Sequence, residues 1–137
     1  MKKQKFEFFE HTADIKFRAY GKNLEEAFEN SASAFSFHVS RGGKIKSNKI
    51  KEINLEGADL EALFYGFLDE LIYLLDAEGF IVVKAKLSID ENKLKGKLYG
   101  DEVKKYKDLD HVKAATYAEM YLKKVKTGWE VQAVLDV

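Results

Sequence analysis

The stretch DLEALFYGFLDELIYLLDAEGFIVVKAKLSIDENKLKGKLYG, Asp59 to Gly100, sets the two periods of the chain side by side. Leu60, Leu63, Phe64, Phe67, Leu71, Leu74 and Leu75 recur at helical spacing and form one broad apolar stripe. Asp59 opens the helix, and Gly79 is placed to end it. The period then switches to two. Ile81, Val83, Ala85, Leu87 and Ile89 alternate along one strand, Asp90-Glu91-Asn92 turns the chain, and Leu94, Gly96, Leu98 and Gly100 carry it back. A helix followed by a hairpin, each with one apolar face, predicts helices packed on a sheet.

The flanking sequence extends that pattern. Upstream, Phe6 to Phe9 reads as a short strand, and Ile15, Phe17 and Ala19 alternate in a second that Gly21 ends. Asn23 with Glu26 three residues on is a capping box, opening a helix whose face is Leu24, Ala27, Phe28, Ser31, Ala34 and Phe35. Arg41-Gly42-Gly43 stops it, and a weaker strand follows around Ile50, Ile53 and Leu55. Downstream, Asp101 to Asp110 is polar and irregular, which predicts a surface loop. Val112, Ala114, Thr116, Ala118, Met120 and Leu122 supply the next strand face; Thr127-Gly128 then turns into Trp129, Val131, Ala133 and Leu135. The order β-β-α-β-α-β-β-β-β predicts an α+β fold: a single domain spanning 1–137, with one mostly antiparallel or mixed sheet and both helices on one face.

Composition bounds the function. A chain of 137 residues can bury roughly two-thirds of its unfolded surface, and 46% apolar with 13% aromatic content is globular. No apolar run approaches the roughly 20 residues of a membrane span, and the start, Met1-Lys2-Lys3-Gln4-Lys5-Phe6, lacks a signal-peptide core, so a cytoplasmic protein off the membrane is expected. With no cysteine, thiolate metal sites and cysteine nucleophiles are excluded. Net charge is zero, and of the 23 basic residues only Arg18 and Arg41 are arginine, leaving 21 lysines. Arginine forks, the usual tool for reading phosphate and base edges, are scarce, which counts against nucleic acid as the main direct partner. The basic runs Arg41 to Lys51 and Lys93 to Lys97 read as a solvated loop and a solvated strand face. Arg41-Gly42-Gly43 is too short for a phosphate loop and follows a helix, and no Ser-His-Asp spacing stands out.

On the final strand, Trp129, Val131, Ala133 and Leu135 point one way, so Glu130, Gln132, Val134 and Asp136 point the other. Asp14 likewise falls on the polar register opposite Ile15 and Phe17. By the residues alone, Asp14 reads first as a turn or strand-entry aspartate and Asp136 as a frayed, solvated terminal one. His11 is a candidate ligand or base, or a histidine that hydrogen-bonds locally; His38 and His111 are weaker candidates. Lys113, beside Val112 and Ala114, should point away from the core.

Four motifs in order, His11-Thr12-Ala13-Asp14, Leu68-Asp69-Glu70-Leu71, Lys113-Ala114-Ala115-Thr116-Tyr117 and Asp136-Val137, resemble the archease family across nearly the whole chain. Members of that family are accessory proteins that activate an RNA-joining ligase of the RtcB type. The resemblance implies a non-enzymatic activator that promotes guanylylation of the ligase by GTP, and its turnover, in tRNA splicing or RNA repair. It implies a divalent cation held by Asp14, Asp136 and the main-chain oxygens of Val137. An all-oxygen set suits Ca²⁺ or Mg²⁺ over zinc. It also implies a functional role for Lys113 near that metal, with RNA reached through the ligase. One departure stands out: many relatives carry histidine after the Thr-Tyr pair, where this chain has Ala118. Alternation puts Ala118 on the core face, which reads the change as packing. Rival readings are a stand-alone metal-dependent hydrolase or nucleotidyl enzyme on the same carboxylates, and an RNA-binding or chaperone-like module linked to tRNA modification.

Overall fold

The computed structural model describes residues 4–11 and 13–137; Thr12 of the first motif and residues 1–3 lie outside the described residues. The elements run β1 (Phe6–Phe9), β2 (Asp14–Gly21), α1 (Leu24–Ser40), β3 (Lys49–Glu56), α2 (Leu60–Ala77), β4 (Phe80–Asp90), β5 (Lys93–Glu102), a short 3-10 turn (Val103–Lys105), β6 (Ala114–Val125) and β7 (Gly128–Asp136). The α+β class and the element order agree with the sequence pattern. Both helix starts are built as the capping residues require. Asn23 Oδ1 accepts the Glu26 N–H at 2.9 Å, and Asp59 Oδ1 accepts the Ala62 N–H at 2.8 Å. Glu26 reaches back to the Lys22 N–H, one residue before the cap. Arg41 closes α1 in the left-handed region (φ 56°), and Gly79 (φ 61°) follows α2.

The expected single sheet is corrected to two. One has the order β1-β2-β7-β6 and the other β3-β5-β4, with every pairing antiparallel. The second sheet stops at β4 because α1 fills its free edge. The Leu87 N–H donates to Glu29 Oε2 at 2.8 Å, and the Ile89 N–H donates to Glu25 Oε2 at 3.3 Å. Carboxylates satisfy the ladder donors that another strand would have used, which blocks further pairing. Each helix packs against strands of both sheets, α1 on β2 and β4, α2 on β6 and β4. The core is therefore shared: Phe28 meets Phe64 and Phe67 at 4.9 and 5.5 Å, in one cluster with Phe17, Ile81, Leu98 and Val131.

Three local expectations also change. Asp101 belongs to β5 and not to a surface loop; it is 1% exposed and accepts from Tyr106 Oη at 2.7 Å and Asn48 Nδ2 at 3.1 Å. The Tyr106 hydroxyl is the largest influence holding its carboxyl down to about 2. In β6 the register shifts between Thr116 and Tyr121, so strict alternation fails. Ala115 and Met120 are buried, whereas Ala118 is exposed and not on the core face. Finally, the off-core face of β7 is not open, because Gln132 and Val134 are buried too.

The β4 edge carries a pH-dependent consequence. Burial is the leading cause that raises the Glu29 carboxyl above its ordinary value. Folding therefore favours its protonated form: that stability is present below the ordinary carboxylate value and is lost as pH rises through the folded one. Glu29→Gln keeps an acceptor for Leu87 without the charge and should melt no lower than wild type at neutral pH. Glu29→Ala strands the N–H and should cost about 1 kcal/mol. Thermal melts of the three proteins across the acid-to-neutral range check this, with the gap between Glu29→Gln and wild type widening in favour of Gln as pH rises.

Candidate functional site

Three strand ends converge at one end of the first sheet. Asp14 opens β2, Asp136 closes β7 and Ala114 opens β6, and both Asp14 and Ala114 are ladder partners of Asp136. Directly opposed residues on antiparallel strands share a face, with Cβ atoms roughly 4.5–5.5 Å apart. The two aspartates, 122 positions apart in sequence, are thus neighbours on the side away from Ile15 and Leu135. The Lys113 N–H donates to the Asp136 carbonyl at 2.8 Å, which pins the last residue before β6 against the end of β7. Lys113 is exposed as expected, although it precedes the strand. Val137 follows immediately and is 36% exposed.

The β6 bulge builds the rest of the site. Glu119 adopts φ 55°, a left-handed conformation that a regular strand does not allow. Its carboxylate takes Lys16 Nζ at 2.9 Å on one oxygen and His11 Nε2 at 2.8 Å on the other. Lys16 first, then His11, pulls the Glu119 carboxyl below its ordinary value. His11 Nδ1 lies 3.7 Å from Asp14 Oδ2 and is buried without a hydrogen-bond partner. His11 therefore stands between two carboxylates, bonded to Glu119 from a distant part of the chain and lying close to Asp14. Beneath the bulge, Gln132 Nε2 donates to the Glu119 carbonyl at 2.7 Å and Gln132 Oε1 accepts from Arg18 Nε at 2.8 Å. That network explains why Gln132 is buried. Ala118 sits on this exposed bulge, next to the residue that holds His11 and Lys16.

A cleft of about 910 Å³ runs from Asp14 between β1 and the end of α1, lined by Phe8, Phe9, His11, Phe37, His38 and Arg41. Burial lowers the His38 imidazole, and Arg41 pairs with Asp110 at 2.8 Å across the rim. His111 is exposed and lies outside the cleft lining. Among the described residues no three His, Cys, Asp or Glu side chains form a ready metal cage. What the site offers is two carboxylates side by side, hard oxygen donors whose mutual repulsion a divalent cation would relieve. Sequence reasoning missed Glu119 and Lys16. Alternation assigns Glu119 no special place, and only the bulge turns it toward the site.

The profile of the Archease protein family matches residues 6–137. The chain is 38% identical over 141 residues to protein archease of Pyrococcus abyssi, covering 98% of this chain and 99% of that one. It is 39% identical over 138 residues to protein archease of Sulfurisphaera tokodaii, with the same coverage. Among solved structures it resembles the solution structure of Methanobacterium thermoautotrophicum protein 1598, at 31% identity and TM-score 0.82 over 97% of this chain and 99% of that one. The Thermotoga maritima crystal structure described as "an archease, possible chaperone" shares the fold, at 21% identity and TM-score 0.63 over 100% of this chain and 98% of that one.

Opposed like charges destabilise a ladder pair by about 0.2–1 kcal/mol. Asp14→Asn should therefore raise the melting temperature of metal-free protein at low ionic strength. Calorimetry in chelator measures it; a fall instead would mean that the Asp14 carboxylate is held by His11 more strongly than it is repelled by Asp136.

Proposed function

The chain belongs to the archease family, and on that premise we propose that it is a cytoplasmic accessory protein that activates an RtcB-type RNA ligase, promoting guanylylation by GTP and multiple turnover. It is not itself the ligase; the tRNA or other RNA that is joined is the ligase's substrate. The observation that carries this reading is the ladder pairing of Asp14 with Asp136, which gathers the first and last family motifs at one sheet end. Asp14, Asp136 and the main-chain oxygens of Val137 would hold Ca²⁺ or Mg²⁺, with vacant positions left for water or for groups of the partner. Such a cation supplies concentrated positive charge toward the partner's anionic groups.

The chain's own residues position that end. Glu119 fixes His11 and Lys16, His11 stands against Asp14, and the Lys113 main chain holds Asp136 while its exposed side chain is free to meet the ligase. An activator of this kind must bind the nucleotide-competent state of the ligase better than the alternative, or it shifts nothing. A stand-alone enzyme would instead show turnover without the ligase. Among the described residues no helix is long and apolar enough to cross a membrane.

Ligase guanylylation from GTP, with this protein at sub-stoichiometric ratio, tests the reading: stimulation is expected, and silence of the protein alone. Lys113→Ala and Asp14→Ala should each lose at least about tenfold of the stimulation, the usual cost of losing a ligand or its support, while retaining the fold. A Gly-Ser extension after Val137 should weaken Ca²⁺ binding by calorimetry, whereas one before Met1 should not. Equal binding by the two extended proteins would remove Val137 from the ligand set and leave the two aspartates.

A further inference from the structure

Zero net charge conceals a segregation of charge that only the fold makes visible. The helix α2 carries Glu61, Asp69, Glu70 and Asp76 and no basic residue. The three-stranded sheet is the opposite. Its inner positions, Ile53, Leu94 and Leu98, are buried in the core. Its outer face is a grid of three strands by four rows set by the ladder register: Ile50–Tyr99–Lys84, Glu52–Lys97–Lys86, Asn54–Lys95–Ser88 and Glu56–Lys93–Asp90. Among the described residues no other element covers this face, and all five of its lysines are exposed.

The lysines concentrate toward one end. Lys84, Lys86, Lys95 and Lys97 share three adjacent rows in which Glu52 is the one acid. Lys86 and Lys97 are direct cross-strand partners, an arrangement that costs stability because like charges oppose. Among the described residues none of these four forms an ion pair, whereas Lys16, Arg41, Lys49, Lys51, Lys104, Lys105 and Lys123 all reach carboxylates. Lys86 faces Glu29 only at longer range, across the β4 edge. At the head of the rows stand Tyr99, with Lys84 Nζ 5.2 Å over its ring, and Ile50, 56% exposed. A shallow trough of about 530 Å³ crosses the face between Glu52, Asn54, Lys86, Ser88, Lys95 and Lys97.

Unpaired cations in rows beside a half-buried aromatic ring that still reaches the surface are a combination that can hold single-stranded nucleic acid, by phosphate contacts along the backbone and a base at the ring. An acidic peptide would use the lysines but has no need of the ring. The face has no arginine fork: Arg18 is engaged by Gln132 and Arg41 by Asp110. Contacts of this kind carry little sequence preference and yield readily to salt. We propose that the outer face of the β3-β5-β4 sheet binds single-stranded nucleic acid directly, through Lys84, Lys86, Lys95 and Lys97, with a base stacked at Tyr99. This site lies on the other sheet from Asp14 and Asp136 and does not depend on the ligase reading.

Fluorescence anisotropy of the full chain with a labelled oligouridylate of about 12 nucleotides, a length one small module covers, tests it. Between about 50 and 200 mM salt the log–log slope should be about −3, from four contacts at about −0.7 each. Lys86→Ala/Lys97→Ala should weaken binding roughly tenfold at the lower salt and cut the slope by about 1.4. Tyr99→Leu should weaken it about fivefold or more. Glu52→Gln should tighten it, an effect that a purely structural role would not produce. Lys124→Ala/Lys126→Ala, which removes two exposed charges from the β6–β7 hairpin of the other sheet, should leave affinity nearly unchanged. Absence of binding at low salt, or equal binding by the sheet variants and wild type, would overturn the proposal. Competition by polyglutamate as effective as by RNA would overturn it too, assigning the face to an acidic protein.

Discussion

The antiparallel ladder between β2 and β7 is the constraint on which the rest of this structure depends. It runs from Asp14 opposite Asp136 to Gly21 opposite Trp129, and it joins the second strand of the chain to the last. With that register in place, Phe17 and Ala19 face inward with Ala133 and Val131, and α1 closes over them. Because side chains alternate with a period of two, a slip of one residue in either strand would turn that strand's aspartate toward the core and its apolar residues out of it, breaking the pairing of the two carboxylates. Burial of Phe17, Val131 and Leu135 therefore specifies the register, and the register places the carboxylates. Core packing and site geometry are one decision.

The β6 bulge is the second device. A regular strand from Ala114 to Val125 would have carried Glu119 along the ladder without concentrating it anywhere. The irregularity between Thr116 and Tyr121 turns that carboxylate back over the sheet, where it gathers His11 and Lys16 and covers Gln132. Bulges beside functional sites re-aim side chains in this way at the expense of ladder pairing. The same irregularity displaces Ala118 to the surface, at the rim of the site and not in the packing of the core.

Charge is distributed by the same architecture. Lysines that alternate with apolar residues on β4 and β5 must all emerge on the outer side once the inner side is buried, and the acids of α2 emerge on the helix face that the core does not use. The two glutamates of α1 that cap the β4 edge serve a third purpose, ending the sheet. A chain with no net charge thus presents local surfaces of opposite sign.

Much of this was legible in the sequence. The stripe from Leu60 to Leu75 and the alternation from Ile81 to Leu98 determined the helix, the hairpin and the α+β class, since burial of one face imposes its period on the residues. Asn23 and Asp59 determined where the helices begin, because short polar side chains are the local means of satisfying the first backbone donors. Motif order pointed to Asp14, Asp136 and Lys113. What local pattern could not decide was which strands are neighbours: that one expected sheet is two, that Asp14 meets Asp136, that Asp101 is buried under Tyr106, and that Glu119 is turned into the site. Each of these depends on a partner far away in sequence or on a single departure from strand geometry. Periodicity records which face of an element is buried, and it carries no information about what lies across from it; that was decided only when the two sheets and two helices closed on a common core.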